Sequence, residues 1–188
     1  PAPAYARVSR LDWSSTGDSH HERTCQFTFD GIDAFTNQPR RELQPELFFS
    51  HTDSRIKTYL REREYMTCHG YLTSIAGGFR YLTLTFRIAS RTAQREYGGI
   101  RNGGLLNLKL LDGSTISLFS QGGSQLKVDP KTNDIIYKAR YPIDYQKEKL
   151  ISRSEIDQVR VVWATGYEDY EVYNIDFFMN QLVCLNGN

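Results

Sequence analysis

Hydrophobic and polar residues alternate along much of the chain between residues 66 and 173. The clearest run is Tyr81–Ser90, in which leucine, phenylalanine and isoleucine occupy even positions while threonine and arginine fill the odd positions between them. A period of two is typical of a β-strand that buries one face and exposes the other. A shorter run of the same kind, Cys25–Phe29, lies nearer the start of the chain. The pattern therefore predicts a fold built mainly from strands.

Short turn sequences separate these runs and predict four successive β-hairpins. Asp112-Gly113 is the strongest turn, because glycine accepts the positive φ angles that tight hairpin turns require. The predicted strand pairs are Tyr71–Ile75 with Tyr81–Ser90, Leu106–Leu110 with Ile116–Leu118, Gln125–Val128 with Ile135–Tyr141, and Gln158–Trp163 with Tyr170–Tyr173. A further strand is predicted at Tyr5–Asp12, whereas Asn37–Gln44, which contains Pro39, is predicted to be a connection.

Helical spacing is confined to short segments. The stretch Ser54–Glu64 follows a capping residue, Asp53, and carries apolar side chains at helical intervals. A second short helix is predicted at Gln146–Ile151. The third prediction is a C-terminal amphipathic helix that is capped by Asn174, ends near Asn186-Gly187 and presents Ile175, Phe178, Met179 and Leu182 on one face.

Together these elements predict a mostly β fold: an antiparallel β-sandwich or partly open barrel built from successive hairpins, with two or three short peripheral helices. The length of 188 residues suits a single domain spanning 1–188. Residues 1–24 are polar and rich in serine, glycine and histidine, so we expect a poorly ordered N-terminal segment there.

Charge and composition narrow the classes of partner. The 23 basic and 22 acidic side chains leave a net charge of +1 without a basic stripe, so no nucleic-acid partner is expected. No apolar stretch approaches the ~20 residues of a transmembrane segment. The small, proline-containing start Pro1–Ala6 is typical of a chain from which a leader has been removed. It predicts an extracytoplasmic protein, whether periplasmic, on the cell surface or secreted.

The three cysteines Cys25, Cys68 and Cys184 lie far apart and include no CxxC pair, which argues against a structural zinc site. One disulfide with one free thiol would suit an oxidising compartment, and three reduced, buried cysteines would suit a reducing one. The sequence leaves both alternatives open.

Two segments carry a resemblance to a known group of proteins. The stretch Ile156–Cys184 reads IDQVRVVWATGYEDYEVYNIDFFMNQLVC, and Tyr97–Ile100 and Leu110–Leu118 are loosely similar to the same group. The chain thereby resembles uncharacterised secreted or lipid-anchored β-sandwich proteins of Bacteroidota. The resemblance implies a β-sandwich and an extracytoplasmic location, and it implies no active site.

Motifs for catalysis, metals or cofactors are weak throughout. His20-His21-Glu22 lacks the spacing of a zinc site, and Cys68-His69 are sequence neighbours whose side chains diverge on a strand. The glycines of Gly98–Gly104 lead into a leucine-rich strand rather than the helix that a phosphate-binding loop requires. There is also no G-x-S-x-G elbow. No catalytic residue, metal or cofactor is expected.

The fourth hairpin holds the best candidate for a ligand site. Four aromatic and two acidic residues gather around its predicted turn, namely Trp163, Tyr167, Glu168, Asp169, Tyr170 and Tyr173. Aromatic faces stack on sugar rings while carboxylates accept hydroxyl hydrogen bonds, and tyrosine and tryptophan also anchor protein interfaces. The alternative places Trp163 in the core beside Val159 and Val161, with the tyrosines as cross-strand pairs.

Three functions compete on this basis. The first is a non-catalytic extracytoplasmic binding module for a glycan or a protein. The second is a carbohydrate-active hydrolase with Glu168 and Asp169 as acids, although neighbouring residues seldom oppose each other across a substrate. The third is a structural component of a cell-envelope assembly. The sequence does not specify the oligomeric state.

Overall fold

The computed structural model describes residues 25–61 and 63–187. The predicted strand Tyr5–Asp12, the N-terminal segment and His20-His21-Glu22 lie outside the described residues. Within them the strands are β1 (Phe27–Asp33), β2 (Gln38–Leu43), β3 (Glu46–His51), β4 (Met66–Ile75), β5 (Phe79–Ile88), β6 (Leu105–Leu110), β7 (Thr115–Phe119), β8 (Gln125–Val128), β9 (Ile135–Ile143), β10 (Ile156–Trp163) and β11 (Gly166–Glu171). The α-helices are α1 (Ser54–Lys57), α2 (Ala93–Tyr97), α3 (Tyr145–Ile151) and α4 (Phe177–Asn186), and 3-10 turns cover Thr58–Leu60 and Ala76–Gly78.

The strands form two antiparallel sheets. Six strands of the larger, seven-stranded sheet follow the order β1-β2-β4-β5-β9-β8, and β3 pairs with β4 on the same edge as β2. The smaller sheet has the order β11-β10-β6-β7. All four predicted hairpins are present, as β4–β5, β6–β7, β8–β9 and β10–β11. The predicted class, a mostly β sandwich or open barrel with short helices, is confirmed.

The alternating pattern explains the core. On β5 the residues Leu82, Leu84, Phe86 and Ile88 are all fully buried, whereas the intervening Arg87 is exposed. Two leucines of β6 and two valines of β10 are also fully buried, so each sheet covers the apolar face of the other. The buried residues of both sheets form a single hydrophobic cluster, as expected for one domain.

Most of the segment Asn37–Gln44 forms strand β2 (Gln38–Leu43), so its prediction as a connection was wrong. Pro39 is tolerated because it pairs with Ile32 of β1 and lies outside the short stretch of β2 that pairs with β4. The two adjacent arginines stack on aromatic rings of β1, with Arg40 4.3 Å above the Phe29 ring and Arg41 4.6 Å above Phe27. These local contacts outweigh the turn signal of proline. Strand β3, which the pattern did not predict, follows directly.

Two of the three predicted helices are shorter than predicted. The segment expected to be helical from Ser54 to Glu64 forms only α1 and one 3-10 turn, which ends at Arg61 in the left-handed conformation with φ of 47°. None of the residues of α1 and of this 3-10 turn is buried, and Tyr59 is 85% exposed. Helix α3 agrees with its prediction. Helix α4 begins at Phe177 rather than directly after Asn174, and helix α2 was not predicted.

The cysteines resolve into one disulfide and one free thiol. Cys25, just before β1, is bonded to Cys184 in α4, and 159 positions separate them. Cys68 on β4 is free and fully buried, and burial raises the pKa of its thiol. Among the described helices, none has both the length and the apolar character needed to span a bilayer.

An ion cluster fixes the turn between β8 and β9. Arg87 of β5 donates to Asp129 at 2.9 Å and to Asp134 at 3.1 Å, and Arg63 donates to both oxygens of Asp134 at 3.0 Å. The hydrogen bond from Arg87 is the main cause that lowers the pKa of Asp129 to about 2. Burial alone would raise the pKa of Asp134, but hydrogen bonds from Thr132 and the two arginines outweigh it and lower the pKa.

This cluster predicts an acid-sensitive stability. The folded pKa of Asp129 lies below the ordinary value of 3.8, so its ionised form stabilises the fold above that pH. The stabilisation is lost as the pH falls from 3.8 towards about 2. We expect Asp129→Asn to show a shallower acid-induced loss of stability than the native protein, measured as the urea midpoint against pH. Parallel profiles for the two proteins would contradict this role.

Candidate functional site

The residues that the sequence placed around a turn lie on a regular strand instead. Trp163 pairs with Gly166, so the turn consists of Ala164 and Thr165 alone, and the predicted turn at 165–169 was wrong. Since side chains alternate along β11, Tyr167 and Asp169 point to one face while Glu168 and Tyr170 point to the other. The predicted cluster is therefore divided between two faces of the sheet.

The outer face carries an ion pair. Arg160 of β10 donates two hydrogen bonds to Asp169, at 2.6 and 2.7 Å, and its guanidinium lies 4.3 Å from the Tyr167 ring centroid. The hydrogen bond from Arg160 lowers the pKa of Asp169. Tyr167 is 62% exposed, and Tyr173, beyond the end of β11, is 80% exposed. This face is a solvated surface with one accessible tyrosine ring, that of Tyr167.

The inner face belongs to the core. Trp163 is only 4% exposed, and its ring lies 4.9 Å from both Phe86 and Tyr97. Tyr170 is 2% exposed and stacks on Phe49, with centroids 4.6 Å apart and planes at 12°. The alternative that placed Trp163 in the core is confirmed. Trp163 and Tyr170 are therefore core residues that support the polar side chain next to them, Glu168.

Trp163 and Tyr170 support Glu168 through a chain of hydrogen bonds. The Trp163 Nε1–H donates to the Tyr170 hydroxyl at 3.2 Å, and that hydroxyl donates to a Glu168 carboxylate oxygen at 2.6 Å. Burial, followed by the hydrogen bond to Glu168, raises the pKa of Tyr170 far above its usual range. The tyrosine therefore remains a proton donor and holds the carboxylate in one orientation.

Glu168 faces an open cleft of about 640 Å³ between β11 and the segment that joins β3 to α1. The lining residues are His51, Asp53, Arg55, Ile56, Tyr65, Tyr97, Glu168 and Asp169. Of these, only Glu168 and Asp169 were predicted from the sequence as site residues. The others come from three distant parts of the chain, and no local pattern marks them as neighbours.

One wall of the cleft is a compact polar motif at the start of α1. The Asp53 carboxylate accepts hydrogen bonds from the Arg55 backbone N–H at 2.9 Å and from the Arg55 guanidinium at 2.6 Å. The side-chain hydrogen bond from Arg55 is the largest cause that lowers the pKa of Asp53 to about 2. The Arg55 side chain is 86% exposed, so most of its donors remain accessible from the cleft.

The floor is aromatic. Tyr97 is 7% exposed, and burial, followed by the nearby charge of Glu168, raises its pKa. Tyr65 is half-buried and donates its hydroxyl hydrogen bond to Glu96 at 2.8 Å, and burial raises its pKa as well. Both tyrosines are therefore neutral at physiological pH. His51 stands edge-on to Tyr170, with ring centroids 5.4 Å apart.

The carboxylates around the cleft differ in whether they form an ion pair. Asp53 and Asp169 each have an arginine partner, whereas Glu168 makes no ion pair with any residue of the described chain. In the same part of the chain, no three His, Cys, Asp or Glu side chains group closely enough to hold a metal ion. The chemical capacity of the cleft is thus hydrogen bonding and aromatic contact around one unpaired carboxylate.

Comparison with known proteins adds no relative. No protein-family model matches the chain, and neither a curated protein nor a solved structure matches it. The likeness to Bacteroidota sandwich proteins stays a prediction.

Proposed function

We propose that the chain is a non-catalytic binding module that holds a carbohydrate in the cleft between β11 and α1. The observation that carries the proposal is the Glu168 carboxylate, which is fixed by Tyr170, faces the cleft and has no cationic partner among the described residues. A fixed, unpaired carboxylate is a strong acceptor for ligand hydroxyl groups.

The remaining lining suits the same ligand class. Ligand pockets commonly measure about 300–1,000 Å³ and combine apolar walls with a few convergent polar groups. Here Tyr65 and Tyr97 supply aromatic surface, and Arg55 supplies exposed donors across from Glu168. Sugars present both C–H faces and hydroxyl groups, which match aromatic rings and charged hydrogen-bonding groups respectively.

The state of the neighbouring acids favours binding over hydrolysis. Glycoside hydrolysis requires two carboxyl groups, of which one must carry a proton to protonate the leaving group. Arg55 and Arg160 lower the pKa values of Asp53 and Asp169, so both are ionised at neutral pH. Glu168 lacks a second acid suited to that pairing. The hydrolase alternative is therefore the weaker one.

The disulfide supports an extracytoplasmic setting for this module. Disulfides persist in oxidising compartments and are rare in the reducing cytosol. The bond between Cys25 and Cys184 is what a secreted, periplasmic or surface-exposed chain would retain.

Glu168→Gln tests the proposal directly. The amide oxygen can still accept the hydrogen bond from Tyr170, so the fold should keep its stability while the ligand loses a charged acceptor. A hydrogen bond to a charged group contributes enough that we expect carbohydrate affinity to fall about tenfold or more. A glycan array identifies the sugar that binds best. Calorimetric titration with that sugar then measures the affinity of the native protein and of Glu168→Gln.

Glu171→Gln is the matched control, because Glu171 is also exposed on β11 but has the strand parity of Tyr167 and is not among the residues that line the cleft. It should bind as the native protein does. Failure of the native protein to bind any glycan at millimolar concentration would refute the proposal. If the native protein instead binds a protein through the cleft and Glu168→Gln does not, the ligand is a protein rather than a carbohydrate.

A further inference from the structure

Three exposed aromatic rings lie at separate tips of the larger sheet, namely two hairpins and the end of β9. Phe35 lies in the turn 34–37 between β1 and β2 and is 99% exposed. Phe79 begins β5 after the glycine turn and is 70% exposed, and Tyr145 begins α3 and is 79% exposed. Among the described residues none of these rings contacts another aromatic ring. Large aromatic side chains this exposed at the tips of a sheet contribute nothing to the core.

The strand register places all three tips at one end of the sheet. Arg40 of β2 pairs with Ile75 of β4, Ile75 pairs with Phe79 of β5, and Arg80 pairs with Ile143 of β9. The β1–β2 turn, the β4–β5 turn and the end of β9, where α3 begins, therefore lie at the same end of the sheet. At about 4.8 Å between strands, the tips from β1 to β9 form a row about 20 Å long. We call this row the aromatic end.

The acids near the aromatic end are already neutralised. Asp33 pairs with Arg40 at 2.8 Å, Asp144 pairs with Lys147 at 3.0 Å, and Glu148 pairs with Arg80 at 2.6 Å. Lys149 of α3 is exposed and makes no ion pair within the described part of the chain. Beside it, Leu150 adds another apolar side chain that is 56% exposed. The aromatic end is thus apolar at its tips with a small positive excess behind them.

We propose that the aromatic end docks the protein on a lipid bilayer that carries anionic headgroups. Aromatic side chains favour the level of the headgroups, where a ring meets apolar chains on one side and water on the other. The exposed Lys149 behind them, which is unpaired among the described residues, is attracted to anionic lipid. A fluid bilayer accepts three separate tips at once, whereas a folded partner would need a matching pocket for each. Charge and shape therefore favour a membrane surface over a protein.

Docking in this way leaves the cleft accessible. His51 of the cleft pairs with Met66 at the start of β4, whereas Ile75 of the aromatic end is the last residue of the same strand. A strand of ten residues is about 30 Å long, so the cleft would face away from the lipid. The proposal is independent of what the cleft binds.

Vesicle co-sedimentation tests the docking. The probe is phosphatidylcholine vesicles, alone or mixed with phosphatidylglycerol at about three to one, and added salt should weaken binding to the mixed vesicles only. We expect the native protein to bind the mixed vesicles more tightly. Phe35→Ser should weaken binding about tenfold, since burying a phenylalanine ring contributes about that much. The triple variant Phe35→Ser, Phe79→Ser, Tyr145→Ser should remain in the supernatant.

Tyr59→Ser is the matched control, because Tyr59 is 85% exposed but follows β3 and α1 at the opposite end of the sheet. It should bind vesicles as the native protein does. The proposal fails if the native protein does not bind vesicles at lipid excess, or if Phe35→Ser and the triple variant bind unchanged. It also fails if the native protein binds no vesicles and sedimentation velocity shows that it is a dimer whereas the triple variant is a monomer.

Discussion

Replacing Trp163 with alanine is expected to lower the free energy of unfolding by about 3–5 kcal/mol, the usual cost of truncating a buried tryptophan. The ring packs between Phe86 and Tyr97, so its loss opens a cavity where the two sheets meet. It also removes the hydrogen bond to Tyr170 that orients Glu168. Urea denaturation measures the loss of stability, and it is monitored by far-UV circular dichroism because the substitution removes a tryptophan fluorophore.

Tyr167→Ala is the control on the same hairpin, because Tyr167 is 62% exposed. Its stability should stay within about 0.5 kcal/mol of the native value, as for most surface substitutions. The core assignment would be wrong if Trp163→Ala kept full stability but lost ligand binding, since that result describes a residue that contacts ligand.

Removing the disulfide is expected to have an effect of similar size. The bond closes a loop between two cysteines that are 159 positions apart in sequence, and the loss of chain entropy in the unfolded state predicts about 5 kcal/mol of stabilisation. We expect the double variant Cys25→Ser, Cys184→Ser to unfold at a much lower urea concentration than the oxidised protein.

The native protein provides its own control for this bond. Cys68 is free, so in the described chain a reducing agent has only the Cys25–Cys184 bond to break. Reduced native protein should therefore match the double serine variant, and that variant should not respond to reductant. Equal midpoints for oxidised and reduced native protein would show that the disulfide contributes nothing to stability.

The fold was predictable where side-chain alternation is strict. Strand β5 shows why, because every second residue from Leu82 to Ile88 is apolar and each proves to be buried. Prediction failed where a local signal competes with a tertiary one. Pro39 indicated a connection, yet β2 forms because its arginines stack on β1 and its centre pairs with β4. Composition alone does not reveal such contacts between segments.

The site was predictable only in part, for a related reason. The hairpin composition drew attention to Glu168 and Asp169, which do line the cleft. The same composition suggested that Trp163 and Tyr170 lie beside Glu168 and Asp169. Because the turn has only two residues, β11 is a regular strand, and the rings of Trp163 and Tyr170 lie in the core. The opposite wall, from His51 to Ile56, is about a hundred positions away in sequence, so only the packing of β3 near β11 brings it into place.

The covalent link between Cys25 and α4 also determines how the molecule would respond to mechanical tension. A pull applied to the chain before Cys25 and after Cys184 passes directly from one sulfur to the other. The polypeptide between the two cysteines is a closed ring that lies outside the path of the force. Both sheets and the cleft therefore keep their shape while the two flanking segments are under tension.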